Sequence, residues 1–184
     1  MFTVFDANFM FWGSGLSLYE LSKQAPPVQS DMVDVTRNKD GGVLRWKLRQ
    51  GDRMRPIPYQ GAGLAIAYVG KFEATGKQFD ASADGQPLRV TLGAGQVIAG
   101  WETALRTMQW GECSMFRCRQ DYAYGKDGFK GAFFCYKNED SSIQNDDSSI
   151  ENIKNADLGR PGVIPPSATL DFFVELVGWE PELR

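Results

Sequence analysis

The sequence predicts an α+β fold in which an antiparallel sheet of about five strands wraps around one short helix. Apolar residues between Val97 and Met108 recur at three- and four-residue intervals, which is the spacing of a helix with one buried face. The stretches on both sides alternate apolar and polar residues, as half-buried strands do. A single amphipathic helix among strands must bury its apolar side against the sheet.

The composition narrows the classes of function. The chain has 184 residues, a net charge of −3 and no histidine. The small net charge does not indicate a nucleic-acid binder, and the missing histidines remove the commonest general base and zinc ligand. The cysteines, Cys113, Cys118 and Cys135, show no CxxC spacing, so we expect reduced thiols in the cytoplasm or the nucleus, with no metal and no cofactor.

The chain divides into one domain with appendages. We expect an N-terminal extension over residues 1–42, a main domain over 43–180 and a short tail over 181–184. Within the main domain, residues 126–160 are expected to form a loop insertion, because they show no clear strand pattern. We expect no signal peptide, and no run approaches the length of apolar residues that spans a membrane.

The N-terminal extension contains two recognisable segments. Residues 1–12 are dense in aromatic side chains, which either pack back on the domain or form an arm that binds a partner. Ser17 and Glu20 make a capping box, which predicts a short helix over about 17–24 that ends before two prolines. The polar stretch 28–42 is a plausible linker.

The first predicted strand begins at Val43 and carries three basic residues on one side. Three apolar residues alternate with them: Leu44, Trp46 and Leu48 against Arg45, Lys47 and Arg49. We interpret this pattern as a half-buried strand whose basic side faces water, in preference to a site for an acidic partner.

Further strands are predicted from the same alternation. They cover residues 64–72, 78–80, 88–92, 113–118 and 170–176. The helix lies between the third and the fourth of these, and Gly111, just past its end, is predicted to be its C-terminal cap.

The insertion has a composition typical of a solvated loop. Residues Glu139–Glu151 hold five acidic and no basic side chains. Two similar seven-residue segments follow each other here, beginning at Glu139 and at Asp146. A calcium site is disfavoured because the EF-hand spacing is missing. We expect the insertion either to be simply tolerated or to recognise a partner.

No nucleophile–base pair, phosphate-binding loop or metal cluster is visible in the sequence. Alternation instead directs a set of aromatic residues toward the helix-facing side of the sheet: Tyr68, Phe79, Trp101, Tyr124 and Phe172. These side chains form either an ordinary core or the lining of a concave aromatic pocket.

Six motifs stand in one order along the chain. They are Tyr68-Val69-Gly70-Lys71, Gln78-Phe79-Asp80-Ala81-Ser82, Leu92-Gly93-Ala94-Gly95-Gln96-Val97-Ile98-Ala99-Gly100-Trp101, Asp121-Tyr122-Ala123-Tyr124-Gly125, Pro161-Gly162-Val163-Ile164-Pro165-Pro166 and Ala168-Thr169-Leu170. Together they closely resemble the FKBP family of tacrolimus-binding peptidyl-prolyl isomerases, from about Val43 to Trp179 apart from the insertion.

The resemblance implies a twisted antiparallel sheet of five to six strands curled around the helix, and a pocket with Trp101 as its floor. The implied walls are Tyr68, Phe79, Val97, Ile98, Tyr124 and Phe172, with Asp80 at the rim. The backbone N–H of Ile98 and the hydroxyl of Tyr124 are implied to bind the ligand. Further implied contacts with substrate or inhibitor are Leu88, Gln96, Val163 and Ile164.

The resemblance also implies the function, which is isomerisation of X–Pro bonds in proteins, assistance to protein folding and inhibition by tacrolimus- or rapamycin-type macrolides. The implied partners are proline-containing peptides and proteins, with a further protein partner at residues 1–24 or 126–160. The alternative is the same fold used as an interaction or co-chaperone domain with little turnover. Two differences from the family stand out: no arginine accompanies Asp80, and Leu88 replaces an aromatic residue.

Overall fold

The computed structural model describes residues 16–83, 85–130 and 163–180. The predictions for residues 1–12, for Cys135 and for the acidic stretch of the insertion therefore fall outside the described residues. Within the described ranges, no helix is both long and apolar enough to cross a membrane.

The described chain forms a curled sheet, a short strand pair and two helices. Seven strands make the antiparallel sheet: β1 Val33–Asp34, β2 Val43–Arg49, β3 Gly63–Phe72, β4 Gln78–Ala81, β5 Leu88–Thr91, β6 Cys113–Cys118 and β9 Leu170–Glu180. Their order is β1-β2-β6-β9-β3-β4, and β5 also pairs with β3. The strands β7 Phe129–Lys130 and β8 Val163–Ile164 form a separate antiparallel pair. The helices are α1 Leu18–Ser22 and α2 Ala99–Leu105, with 3-10 turns at Gln29–Asp31 and Gln120–Tyr122.

The predicted fold class is confirmed, and α2 is the helix that the periodicity indicated. Its buried side chains Trp101, Ala104 and Leu105 pack into the main core on one face of the sheet. The helix lies very close to β6, since an ideal Cβ on Gly100 would be 2.6 Å from the sulfur of Cys118. A larger residue than glycine at that position would push the helix off the sheet.

The prediction that Gly111 caps the helix is wrong. The helix ends at Leu105 with Arg106 as its cap, several residues earlier. Gly111 instead has a φ of +73° and donates its N–H to the carbonyl of Leu176 at 2.8 Å. The glycine is therefore part of the turn that leads into β6.

The outer face of the sheet carries a second apolar cluster, beside which α1 packs. The cluster consists of Met32, Leu44, Val69, Met115 and Phe173, with Leu18, Trp46 and Leu48 packed against it. The predicted capping box of Ser17 and Glu20 is confirmed, although the helix is shorter than expected.

The prediction that the basic side of β2 faces water is wrong for Arg45 and Lys47. They lie on the α2 side of the sheet, where Arg45 donates to the carbonyl of Thr107 at 3.0 Å. The apolar residues of β2 point to the outer face because a second cluster exists there to receive them. The alternation was therefore correct, but its direction was inverted.

Three short strands were not predicted from the sequence. Part of the stretch interpreted as a linker, Val33–Asp34, pairs with β2 at the edge of the sheet. The insertion, expected to hold no strand, contributes Phe129–Lys130, which pairs with Val163–Ile164. Two-residue strands are too short to show an alternation, so the pattern could not reveal them.

Candidate active site

The α2 side of the sheet encloses a cavity of about 290 Å³. Ten of the twelve residues singled out in the sequence line it: Tyr68, Phe79, Asp80, Leu88, Gln96, Val97, Ile98, Trp101, Tyr124 and Phe172. Among the described residues, Gly95 and Phe129 also line it. The cavity is thus a concave, mostly aromatic bowl with few polar groups, which is typical of a small-ligand site.

The floor of the cavity is the indole of Trp101, held by aromatic contacts from two strands. The ring of Tyr68 meets it at a centroid distance of 4.9 Å and an angle of 78°. The ring of Phe172 meets it at 5.3 Å and 86°. Edge-to-face geometry of this kind is favourable for aromatic pairs, so both strands fix the indole in place.

Trp101 also carries an unpaired polar atom. Within the part of the chain that the structure describes, its buried Nε1 has no hydrogen-bond partner. A buried donor without an acceptor has a free-energy cost.

One wall depends on a glycine. Phe79 packs edge-on against Phe172 at 5.8 Å and beside Phe72 at 4.9 Å. An ideal Cβ on Gly70 of β3 would lie 2.8 Å from Cζ of Phe79. The missing side chain at Gly70 therefore creates the space in which the Phe79 ring lies.

Asp80 is the carboxylate of the cavity, and it is 5% exposed. Its Oδ2 accepts a hydrogen bond from the hydroxyl of Tyr68 at 2.5 Å, and its Oδ1 accepts one from the N–H of Ala81 at 2.9 Å. Burial raises the pKa of Asp80, against the opposing effect of these two hydrogen bonds. Among the described residues, no lysine or arginine forms an ion pair with it.

The cavity also presents hydrogen-bond donors. Ile98 precedes α2, and its carbonyl accepts from the N–H groups of Trp101 and Glu102 at 3.0 and 3.1 Å. Its own N–H donates to no acceptor among the described residues. Burial, with a smaller effect from the charge of Asp80, raises the pKa of Tyr124 to about 12, so its phenol remains protonated at neutral pH.

Gln96 contributes to the wall, and its side chain also positions the loop before α2. Its Oε1 accepts the backbone N–H of Thr91 at 2.7 Å. The loop that carries Val97 and Ile98 is thereby tied to the end of β5. The amide of Gln96 therefore helps to hold the donor at Ile98 in place.

Val163 and Ile164 do not line the cavity, although we expected them there. Ile164 is 2% exposed and belongs to the main core, because its pairing with Phe129 turns its side chain inward. Phe129 lines the cavity instead, with its ring 5.2 Å from that of Tyr124 at a tilt of 37°. Sequence reasoning missed Phe129 because it opens an insertion without periodicity.

This fold and site define a class of protein with a concave aromatic cavity between a short helix and an antiparallel sheet. The comparisons with known proteins give the particular family. A model of the FKBP-type peptidyl-prolyl cis-trans isomerases matches residues 56–177. FK506-binding protein 1 of Yarrowia lipolytica is 35% identical over 138 residues, which are 74% of this chain and 97% of that protein. Peptidyl-prolyl cis-trans isomerase FKBP1A of Xenopus laevis is 32% identical over 140 residues, 76% of this chain and 99% of that protein.

Solved structures agree with this assignment. A peptidyl-prolyl cis-trans isomerase from Pseudomonas syringae superposes with a TM-score of 0.55 at 25% identity, covering 84% of each chain. The N-terminal domain of FKBP42 from Arabidopsis thaliana superposes with a TM-score of 0.59 at 19% identity, covering 86% of this chain and 98% of that one, and supports the fold alone. The chain belongs to the FKBP-type peptidyl-prolyl cis-trans isomerase family.

Proposed function

We propose that the protein isomerises X–Pro peptide bonds by holding the proline ring in the cavity while the preceding amide turns. The observation that carries this proposal is the floor of the cavity, where Tyr68 and Phe172 hold the indole of Trp101 edge-on. A flat, rigid apolar surface of this kind fits one face of a pyrrolidine ring. No proton transfer or covalent intermediate is required.

The physics of the reaction suits such a site. Rotation about a peptide bond has a barrier of about 18–20 kcal/mol because twisting destroys the amide resonance. Uncatalysed X–Pro exchange therefore takes tens to hundreds of seconds. The twisted amide has a less polarised carbonyl than the planar amide, so leaving water costs it less free energy. An apolar cavity with a few placed donors then favours the transition state over the ground state.

The lining residues take distinct roles in this mechanism. The N–H of Ile98 and the phenol of Tyr124 donate hydrogen bonds to substrate carbonyls, and burial keeps that phenol protonated at neutral pH. Apolar walls, including Leu88 and Val97, surround the amide and exclude water. Asp80 holds the hydroxyl of Tyr68 and so fixes one wall of the bowl.

We also propose that tacrolimus- and rapamycin-type macrolides occupy the same cavity and inhibit turnover. The relative from Yarrowia lipolytica is named as an FK506-binding protein, and the aromatic bowl is of the kind such a ligand needs.

A protease-coupled assay on a Leu-Pro peptide tests the catalytic proposal. We expect Trp101→Leu to lower kcat/KM by about tenfold or more, since each factor of ten corresponds to 1.36 kcal/mol of transition-state stabilisation. The matched control is Trp46→Leu, because Trp46 packs against the outer cluster, away from the cavity lining. If folded wild-type protein does not raise the isomerisation rate above the uncatalysed rate, the proposal is wrong and the interaction-domain alternative is favoured.

A titration with tacrolimus tests the cavity independently of turnover. We expect saturable quenching of tryptophan fluorescence in the wild type, and weaker binding by Trp101→Leu than by Trp46→Leu. Equal affinity of both variants for the macrolide would place its site elsewhere on the protein.

A further inference from the structure

We propose that Asp40 and Gly42, in the loop between β1 and β2, are positioning residues for the phenol of Tyr124 in the cavity. The inference rests on the proposed isomerase function, in which this phenol donates a hydrogen bond to a substrate carbonyl. It gives a role at the cavity to a segment in which the sequence indicated only a linker. Its basis is the set of contacts that join this loop to the turn before Tyr124.

The loop between β1 and β2 is held in one shape by its own side chains. The two oxygens of the Asp34 carboxylate accept the backbone N–H groups of Thr36 and Gly41, at 2.8 and 2.7 Å. The hydroxyl of Thr36, a residue that is 2% exposed, accepts the N–H of Asp40 at 3.1 Å. The carboxylate of Asp40 in turn accepts the N–H of Gly42 at 2.8 Å. Asp40 and Gly42 therefore present a fixed surface to the segment that packs on them.

The ring of Tyr122 packs on that surface. An ideal Cβ on Gly42 would lie 2.1 Å from Cε2 of Tyr122, so the ring has room only because Gly42 has no side chain. The hydroxyl of Tyr122 donates to Oδ2 of Asp40 at 2.8 Å. Arg119 joins the same segments, since its N–H donates to the carbonyl of Gly42 and its guanidinium to the carbonyl of Asp40, both at 2.9 Å. The turn that contains Arg119 and Tyr122 is thus attached to the loop.

The other side of the same turn lies against α2. An ideal Cβ on Gly100 would be 3.0 Å from the carbonyl oxygen of Tyr122. Gly100 directly precedes Trp101, which is the floor of the cavity. The turn closes where the N–H of Gly125 donates to the carbonyl of Gln120 at 2.8 Å. The loop before β2 and the helix therefore hold this turn from opposite sides.

Tyr124 is carried by this turn, two residues after Tyr122. Its ring lines the cavity and lies 5.2 Å from that of Phe129. A hydrogen bond weakens steeply as its geometry departs from the optimum, so a small shift of the turn weakens the bond from the phenol to the substrate. Neither Asp40 nor Gly42 is among the residues that line the cavity. Both therefore act on the reaction through Tyr124.

The first test measures kcat/KM for a Leu-Pro peptide with variants of the full chain. Tyr122→Phe removes only the hydroxyl, and we expect a loss of about two- to threefold because this hydrogen bond is exposed. Gly42→Ala displaces the whole ring, and we expect a loss of about tenfold. The control is Arg37→Ala, because this side chain is exposed in the same loop. Wild-type rates in both Tyr122→Phe and Gly42→Ala would overturn the proposal.

The second test separates a positioning role from a general structural one. Tyr124→Phe is combined with Gly42→Ala and, in a further protein, with Tyr122→Phe. If both residues act through the phenol, Tyr124→Phe already removes the interaction that they support, so neither causes a further loss of kcat/KM in that background. Losses that multiply in the double variants would indicate a structural role and would overturn the proposal.

Fluorine NMR reports on Tyr124 without any turnover. The chain has six tyrosines, so labelling with 3-fluorotyrosine gives few signals, and that of Tyr124 is the one missing from Tyr124→Phe. We expect Gly42→Ala to shift this signal and Arg37→Ala to leave it in place. An unshifted signal in Gly42→Ala would overturn the inference. No turnover by folded wild-type protein would instead remove the isomerase function, whatever the position of this signal.

Discussion

A carboxylate is buried at each of the two ends of the main core, but the two carboxylates differ in the charge of their hydrogen-bonding and ion-pair partners. At the closed end, beyond the C-terminal end of α2, Glu112 is 0% exposed and is surrounded by Lys47, Arg45 and the hydroxyl of Ser114. At the cavity end, Asp80 is nearly as deeply buried but has two neutral donors. Both charges have left water, yet one is compensated by the protein and the other is not.

The difference separates stability from function within one small domain. The cluster around Glu112 links β2, β6 and the chain after α2, so its charges and hydrogen bonds hold the closed end together. The carboxylate at the cavity has the opposite effect on the folded state, because burial raises its pKa. Functional sites often carry such locally unfavourable groups, and the rest of the fold must offset them.

The largest expected effect comes from breaking the closed end. Glu112→Ala leaves the buried hydroxyl of Ser114 without its acceptor and two half-buried cations without their counter-ion. We expect the free energy of unfolding to fall by about 3–5 kcal/mol, measured by urea denaturation. Glu73→Ala is the control, because this side chain is 38% exposed and its pair with Arg117 is worth under about 1 kcal/mol. Equal losses in both variants would show that the cluster is not specially stabilising.

An intermediate effect is expected from filling the space behind the cavity wall. Gly70→Ala places a methyl group against the ring of Phe79, which has to move. We expect a loss of about 1–3 kcal/mol in unfolding free energy, as for other overpacked sites, together with a lower kcat/KM. Gly63→Ala on the same strand meets nothing within 4 Å and is expected to change neither quantity. Unchanged activity in Gly70→Ala would mean that the position of Phe79 does not matter for catalysis.

The smallest effect is expected from removing the charge at the cavity. The folded-state pKa of Asp80 lies above its unfolded value, so the folded protein holds this proton more tightly and loses stability as pH rises through that window. The Asp80→Asn variant has no titrating carboxyl at this position, so it does not lose stability in this way as pH rises. We therefore expect the melting temperature of this variant to rise relative to wild type as the pH increases above about 4, the ordinary pKa of an aspartate, and by less than the effects of the two variants above.

A second variant gives the opposite change. Tyr68→Phe removes the hydroxyl that lowers the pKa of Asp80, so the stability of this variant is expected to fall more steeply with pH than that of wild type. Identical pH profiles for wild type, Asp80→Asn and Tyr68→Phe would contradict the view that this carboxylate is poorly compensated.

Much of the fold could be predicted because the local patterns in the sequence are long. The helix around Trp101 shows a three- and four-residue spacing of apolar residues. The strands that carry Tyr68 and Phe172 alternate apolar and polar residues. Both patterns fix which side chains face the core. The convergence of these side chains on one cavity then follows from curling the sheet around the helix. The family resemblance added Asp80, Gln96 and the remaining walls.

The features that could not be predicted depend on contacts between distant segments. Nothing near Arg45 in the sequence indicates that its carboxylate partner is Glu112, so the basic side of β2 was assigned to water. Similarly, Phe129 reaches the cavity only because it pairs with Ile164, across the whole insertion. A pattern within one segment carries no information about such pairings.

Because α2 packs so closely on Cys118 at Gly100, the rate at which Cys118 is alkylated measures how often this part of the domain opens. The thiol of Cys118 is fully buried beneath α2, and burial raises its pKa, so alkylating reagents cannot reach a reactive thiolate in the closed protein. Modification of this one residue, followed by mass spectrometry, therefore reports how often the helix separates from the sheet. A ligand that binds in the cavity and stabilises the folded domain should slow that reaction in proportion to its occupancy.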